Sequence, residues 1–268
     1  MTGLILELDQ GNTRGKWRLV RSTEGGPVDI IARGVFAPGS WWQRELPASW
    51  RQNRPLRIRC SNVAGAQVGA AIDGRLRTAL GIPVEFARVT PQSAGVCCGY
   101  ADVSRLGVDR WLAVLAAHGR ATAPALIMDC GSAVTLDLLG HEGQHLGGYI
   151  VPGLGLMRRA LFSDTDAVKV PESFAEGMSL APGRHTDDAV NRGLPLMVLG
   201  AMERAQEVLR NQLQSQTKPG EPRPREPLRT LVTGGDGALI ASLCRHPVEL
   251  VEDLVMEGLS YATVAALD

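Results

Sequence analysis

The chain spells one short grammar twice. Leu4-Ile5-Leu6-Glu7-Leu8 runs into Asp9-Gln10-Gly11-Asn12-Thr13-Arg14-Gly15-Lys16-Trp17, and Ala125-Leu126-Ile127-Met128 runs into Asp129-Cys130-Gly131-Ser132-Ala133-Val134-Thr135. Each copy predicts a strand that ends in Asp, a turn at Gly beside a small polar residue, and a returning strand. Such a turn exposes backbone N–H groups and hydroxyls next to a carboxylate, and it can hold phosphate. Two copies, 120 residues apart, fit one polyphosphate held between two similar half-molecules.

Composition narrows the classes. At 268 residues the chain is long enough for one large domain or two smaller ones. Lys plus Arg and Asp plus Glu are equal at 28 each. No basic tail or stripe stands out, so nucleic-acid or anionic-membrane binding has little support. Met1-Thr2-Gly3-Leu4 leads straight to Glu7 and Asp9 without a basic n-region and apolar core. No apolar run approaches the roughly 18 residues of a membrane span. The expectation is a cytoplasmic protein with no membrane partner. The five cysteines (Cys60, Cys97, Cys98, Cys130 and Cys244) form no CxxC pair. They read as reduced, mostly buried thiols rather than a disulfide framework or zinc site, with Cys130 filling space in the second turn.

Along the chain, strands are predicted over 3–9, 15–21, 27–36, 56–60 and 83–87, with a helix near 65–80. Trp41, Trp42 and Trp50 fit core filling better than a binding platform. A helix starting at Asp109 carries Trp111, Leu112, Val114 and Leu115 inward, with Asp109 favourably near its N-terminus. The stretch His118 to Pro124 is the candidate boundary, giving domains 1–118 and 119–268. The second half predicts strands at 125–129, 133–139 and 147–151, and a long helix from Thr186 to Leu213 broken or kinked at Gly193 and Pro195. A Pro-rich exposed connection follows over 214–227, then a strand at 228–232. A final helix over 252–267 could pack back on the first domain.

Two further segments carry chemistry. In Val232-Thr233-Gly234-Gly235-Asp236-Gly237, adjacent glycines let another group approach the backbone, a purine ring for instance. The same glycines also fit a helix N-terminus capped by Asp236. In Gly107-Val108-Asp109-Arg110-Trp111, preceded by Tyr100, the carboxylate can accept a proton from a hydroxyl and the guanidinium can fork a carboxylate. A surface salt pair at a helix start reads equally well from the spacing. His141 and His145 are four apart, but Gly140 and Gly143 between and beside them argue for a loop rather than a metal site. Neither GxGxxG nor GxxxxGK[ST] occurs, so neither a Rossmann nor a P-loop nucleotide site is supported.

Taken in order, these pieces resemble the type III pantothenate kinases of the acetate and sugar kinase/Hsp70/actin superfamily. The resemblance rests on Asp9-x-Gly-Asn-Thr with Lys16-Trp17, on Tyr100 and Leu106-Gly-Val-Asp-Arg-Trp111, on Asp129-Cys-Gly-Ser-Ala133, on Gly147-Gly-Tyr-Ile-Val-Pro-Gly153, on Thr186 with Gly193, and on Thr233-Gly-Gly-Asp236. It implies an α/β protein of two ribonuclease H-like domains, each a mixed five-stranded sheet with flanking helices, around a central nucleotide cleft. It also implies a homodimer, with ATP and pantothenate as substrates and coenzyme A biosynthesis as the pathway. ATP would come with Mg2+, and a monovalent cation (K+ or NH4+) would be needed.

By the same resemblance Asp9, Gln10, Gly11, Asn12, Thr13, Arg14, Gly15 and Lys16 form the first phosphate loop. Asp9 would lie near Mg2+ and Lys16 near the phosphates, with Ser132 contacting ATP from the second loop. Asp109 is implied as general base. Tyr100, Gly107, Val108, Asp109 and Arg110 are implied as pantothenate contacts, with Arg110 on the carboxylate. Thr186 is a further contact, reaching over from the partner subunit. Asp129 is implied as the monovalent-cation ligand. Two positions depart from the family pattern. Ser132 stands where Thr is usual, and Gln10 stands where an apolar residue is usual; Gln10 could point to solvent or touch a phosphate. A second reading keeps the superfamily and changes the acceptor. A third makes the chain a nucleotide-binding regulatory accessory protein with weak or no kinase activity.

Overall fold

The computed structural model describes residues 3–21, 28–163, 178–216 and 228–267. The chain divides into two units. Unit 1 comprises Met1–Ala94, Tyr100–Ala116 and Leu254–Asp268; unit 2 comprises Gly95–Gly99 and Ala117–Asp253.

In unit 1, strands β1 (Leu4–Gln10), β2 (Gly15–Arg21) and β3 (Asp29–Val35) form an antiparallel meander. Helix α1 (Ala48–Asn53) leads to β4 (Arg57–Asn62), which lies parallel to β1. Helix α2 (Ala66–Leu80) then leads to β5 (Val84–Arg88), parallel to β4. Leu6, Leu8, Trp17, Leu19, Ile58, Cys60, Ile72, Leu76 and Val84 share one core with Trp41 and Trp50. Trp50 is fully buried, and its ring meets Trp17 edge-on at 5.4 Å and Trp41 at 6.0 Å. Trp41 and Trp50 are core, as expected, and Trp42 is half-buried against it. On the opposite face of β1, Glu7 and Arg18 form a buried ion pair at 2.6 Å.

The two-residue strands β6 (Gln92–Ser93) and β7 (Val96–Cys97) follow, and then helix α3 (Val108–Arg120). Every residue of α3 from Arg110 to Ala117 is buried.

Unit 2 repeats the plan of unit 1. Strands β8 (Ala125–Cys130), β9 (Ala133–Leu139) and β10 (His145–Pro152) form an antiparallel meander. Helices α4 (Leu154–Ser163) and α5 (Thr186–Gln216) come next. Strand β11 (Arg229–Thr233) is parallel to β8, and after helix α6 (Gly237–Leu243) strand β12 (Glu249–Leu250) is parallel to β11. The sheet order is therefore β10-β9-β8-β11-β12, and the corresponding strands of unit 1 run β3-β2-β1-β4-β5. The two orders and directions are the same, so the repeated Asp turn marks equivalent hairpins, β1–β2 and β8–β9. Leu194, Val198, Met202, Ala205 and Leu209 of α5 pack with Leu126, Met128, Val134, Leu136 and Leu138.

Three expectations change. The long helix is not broken at Gly193 and Pro195: α5 runs on through both. A proline inside a helix forfeits one hydrogen bond and costs about 3 kcal/mol. The burial of Leu194, Val198 and Leu199 on either side offsets that cost. The final helix over 252–267 is instead a short helix α7 (Leu254–Gly258) followed by strand β13 (Thr263–Ala266), antiparallel to β5. Gly258 ends the helix against the backbone of Leu112, where a Cβ would meet the Leu112 carbonyl oxygen. The exposed edge of β5 then recruits Thr263-Val264-Ala265-Ala266 as a sixth strand of the first sheet, and the C-terminus belongs to unit 1. Of the Pro-rich 214–227 segment, 214–216 close α5 and the rest lies outside the described residues.

Candidate functional site

The β1–β2 hairpin places the first turn. Asp9 faces Lys16 and Gln10 faces Gly15 across the strand pair, and Asp9 lies beside Ser61 of β4. Gly11 N–H donates to the Arg14 carbonyl at 3.0 Å and closes the turn, leaving Asn12, Thr13 and Arg14 exposed. Gln10 does not point to solvent. Its position alternates with Leu6 and Leu8 on the core face, and it is buried there. Its carboxamide oxygen accepts from Trp41 Nε1 at 2.7 Å, and its Nε2 donates to the Gly11 carbonyl at 2.7 Å. Gly15 has no room for a side chain: a Cβ would lie 3.0 Å from both Gln10 Oε1 and the Phe36 ring. Burial, with a smaller push from the charge of Asp9, raises the nearby Cys60 thiol well above its ordinary range, so it stays protonated.

The start of α3 places the second group of unit 1. Asp109 sits in the first turn, and its Oδ1 accepts from the Arg110 N–H at 2.7 Å. Gly107 makes the space for this carboxylate, since a Cβ there would come within 2.7 Å of Asp109 Oδ1. Val108 is the first residue of the helix. Arg110 is buried, donates from Nη1 to Tyr100 Oη at 2.8 Å, and holds its guanidinium 5.6 Å from the Tyr100 ring centroid. An acid anchored at a helix N-terminus is thus followed by an arginine whose guanidinium is oriented by a phenol. This pair can take a proton from a hydroxyl and fork a carboxylate. In the alternative surface salt pair Arg110 would lie in solvent, and its burial speaks against that.

In unit 2 the β8–β9 hairpin repeats the turn. Gly131 N–H donates to the Ala133 carbonyl at 3.0 Å, Asp129 faces Thr135, and Ser132 is exposed at the tip. Gly153 N–H donates to the Ser132 carbonyl at 3.1 Å, and Asp236 N–H to the Cys130 carbonyl at 2.9 Å. The Gly-Gly pair leads into helix α6. Asp236 occupies the N-cap position of α6, and Gly234, at φ +91°, approaches the second turn. A Cβ on Gly234 would meet Asp129 Oδ1 and the Cys130 carbonyl oxygen, so only glycine fits against the turn there. The Asp129 carboxylate is the kind of oxygen donor that a hard cation takes. Among the described residues no group of three or more His, Cys, Asp or Glu could hold a metal ion. A phosphate-bound Mg2+ needs only one or two protein carboxylates, and Asp9 fits that demand. Burial pushes the Cys130 thiol far up, helped by the charges of Asp129 and Asp236, so it fills space as expected.

Thr186 opens α5 and is exposed. His145 is buried against Asp137, its Nε2 3.0 Å from the carboxylate, and the pair belongs to the fold of β9 and β10. Reasoning from the sequence missed Trp41 as a partner of Gln10. The alternation Leu6-Leu8-Gln10 held the signal, because a glutamine on a core face requires buried partners.

A sequence model of the type III pantothenate kinase family matches residues 5–207. Among curated relatives, a type III pantothenate kinase from Chromohalobacter salexigens is 38% identical over 264 residues, covering 96% of this chain and 86% of the relative. One from Pseudomonas fluorescens is 35% identical over 261 residues, covering 97% and 98%. Among solved structures, a Baf family transcriptional activator from Campylobacter jejuni superposes with a TM-score of 0.57 at 18% identity, covering 95% of each chain, and so shares the fold.

Proposed function

The chain belongs to the type III pantothenate kinase family, and we propose that it transfers the γ-phosphate of ATP to the primary hydroxyl of pantothenate with Asp109 as general base. Membership carries the coarser statement, a pantothenate-phosphorylating phosphotransferase of coenzyme A biosynthesis. The residue assignments are the proposal. The observation that supports them is the start of α3, where Asp109 adjoins Arg110 and Arg110 is bonded to Tyr100.

Phosphoryl transfer demands positioning and charge neutralisation more than covalent chemistry. In this reading the N–H groups of Asn12, Thr13 and Arg14 at the tip of the turn, the Asn12 and Thr13 side chains, and Arg14 and Lys16 bind the phosphates. Ser132 contacts them from the second turn. Asp9 would hold Mg2+, which when bound offsets charge on the phosphate oxygens. Asp129 would hold the monovalent cation. Gly107 and Val108 lie against the acceptor, Arg110 grips its carboxylate, and Tyr100 fixes Arg110. Asp109, held by the helix backbone through Oδ1, takes the hydroxyl proton as the new P–O bond forms and the bond to ADP breaks. Such positioned bases contribute about 10²–10⁴-fold in rate.

A homodimer belongs to the same proposal. Unit 2 exposes Tyr149 and Ile150 side by side on β10, and Leu196 and Met197 side by side on α5, apolar residues that a partner subunit would cover. Thr186, exposed at the head of α5, would serve the partner subunit's acceptor. A coupled ADP-release assay with and without pantothenate tests the whole reading. ADP should form only with pantothenate and in step with 4'-phosphopantothenate. ADP release that ignores pantothenate would reject it, and no release at all would favour the regulatory accessory reading.

A further inference from the structure

The two Asp turns are braced by different means. In the second, backbone groups hold the carbonyls: Gly153 N–H on Ser132 and Asp236 N–H on Cys130. In the first, Val63 N–H holds the Gln10 carbonyl at 3.0 Å, but the Gly11 carbonyl is held by a side chain, Gln10 Nε2 at 2.7 Å. The orientation of that carboxamide is fixed. An indole N–H can only donate, so the Gln10 atom 2.7 Å from Trp41 Nε1 is the oxygen, and the amide nitrogen must face Gly11. Trp41 is itself fixed, stacked on Phe36 with centroids 4.0 Å apart and planes within 4°. The equivalent residue of the second hairpin, Cys130, has no carboxamide to accept from an indole and donate to a carbonyl at once.

The peptide unit is planar and trans, so a carbonyl and the N–H of the next residue point in opposite directions. Drawing the Gly11 carbonyl toward the core turns the Asn12 N–H away from it, toward the exposed side of the turn. We infer that Gln10 is a positioning residue: through Trp41–Gln10–Gly11 it sets the peptide plane that presents the Asn12 N–H to a bound phosphate, without touching the phosphate itself. This rests on the first turn being the ATP-phosphate loop.

The test uses the full-length protein and Gln10→Met, Trp41→Phe and the double variant. MgATP binding is measured by calorimetry without any acceptor, and KM for ATP and for pantothenate are measured in turnover. Gln10→Met keeps the shape and loses both hydrogen bonds. It should weaken MgATP binding and raise KM for ATP about five-fold, equivalent to about 1 kcal/mol. KM for pantothenate should stay within about two-fold, because Asp109, Arg110 and Tyr100 are untouched. Trp41→Phe keeps the stack, frees the carboxamide to turn, and should give a smaller loss of the same kind. The double variant should bind MgATP no worse than Gln10→Met alone, since both act on one peptide plane. Unchanged MgATP binding in Gln10→Met would overturn the inference while leaving the ATP loop intact. Additive losses, or equal rises in both KM values, would also overturn it by indicating general loosening. A wild-type protein that binds no MgATP would reject the loop assignment, and this inference with it.

Discussion

Replacing Asp109 by Asn isolates the charge of the proposed base. The structure allows its side costs to be separated. Asp109 Oδ1 accepts from the Arg110 N–H at 2.7 Å, and the carboxamide oxygen of the variant would accept the same bond. The substitution keeps volume, and Gly107 still leaves the space beside it open. What the helix loses is one negative charge in its first turn, worth about 0.3–1 kcal/mol. The melting temperature should therefore fall by only a few degrees. The chemical step loses its proton acceptor, so kcat should fall about 10²–10⁴-fold, equivalent to about 2.7–5.4 kcal/mol of barrier. KM for pantothenate should change little, because Arg110 and Tyr100 still grip the acceptor. The assay is initial-rate ADP release at saturating ATP and pantothenate, with a thermal melt of the same preparation. A folded Asp109→Asn protein with kcat within about ten-fold of wild type would refute the role of Asp109 as base.

Arg110→Ala should mainly raise KM for pantothenate, by at least about ten-fold in an initial-rate titration, because it removes both the carboxylate grip and the 2.8 Å bond to Tyr100; a change confined to KM for ATP would contradict the assignment. Replacing K+ by Na+ at equal ionic strength should depress initial rates if Asp129 holds a monovalent ion, and equal rates would count against that site. Partial burial alone would push the Glu249 carboxyl up, but hydrogen bonds and charges from Arg229 and Arg120 outweigh it and hold the group below its ordinary range. A depressed folded-state pKa adds stability above the unfolded-state value and loses it as pH falls through the folded value. Glu249→Gln should therefore cost less than about 1 kcal/mol at about pH 7, given solvent screening, and the difference from wild type in urea melts should vanish in acid; a gap that persists there would refute the linkage.

Much of the fold was legible because its signals are local. The Asp9 and Asp129 turns need glycine and small polar residues within a few positions, and such turns read the same in sequence and in space. The strands around them, and the helix beginning at Asp109, carry their own periodicity. Elements set by distant partners were not legible. Thr263–Ala266 is too short to distinguish strand from helix by pattern, and only the open edge of β5 decides it. Pro195 marks a break by every local rule, yet the burial of α5 on both sides of it keeps the helix continuous.

The sequence by itself determined two Asp-Gly hairpins of one design, an acid beside an arginine at a helix start, and the family these define. Tertiary structure alone decided what each residue does with its neighbours. It buried Arg110 and bonded it to Tyr100. It brought Gly234 and Gly153 against the second turn. It also turned Gln10 inward to Trp41, 31 residues away in sequence. The physical reason is range. Backbone conformation depends on a few adjacent residues, whereas a buried polar group is satisfied only by a partner that folding brings to it.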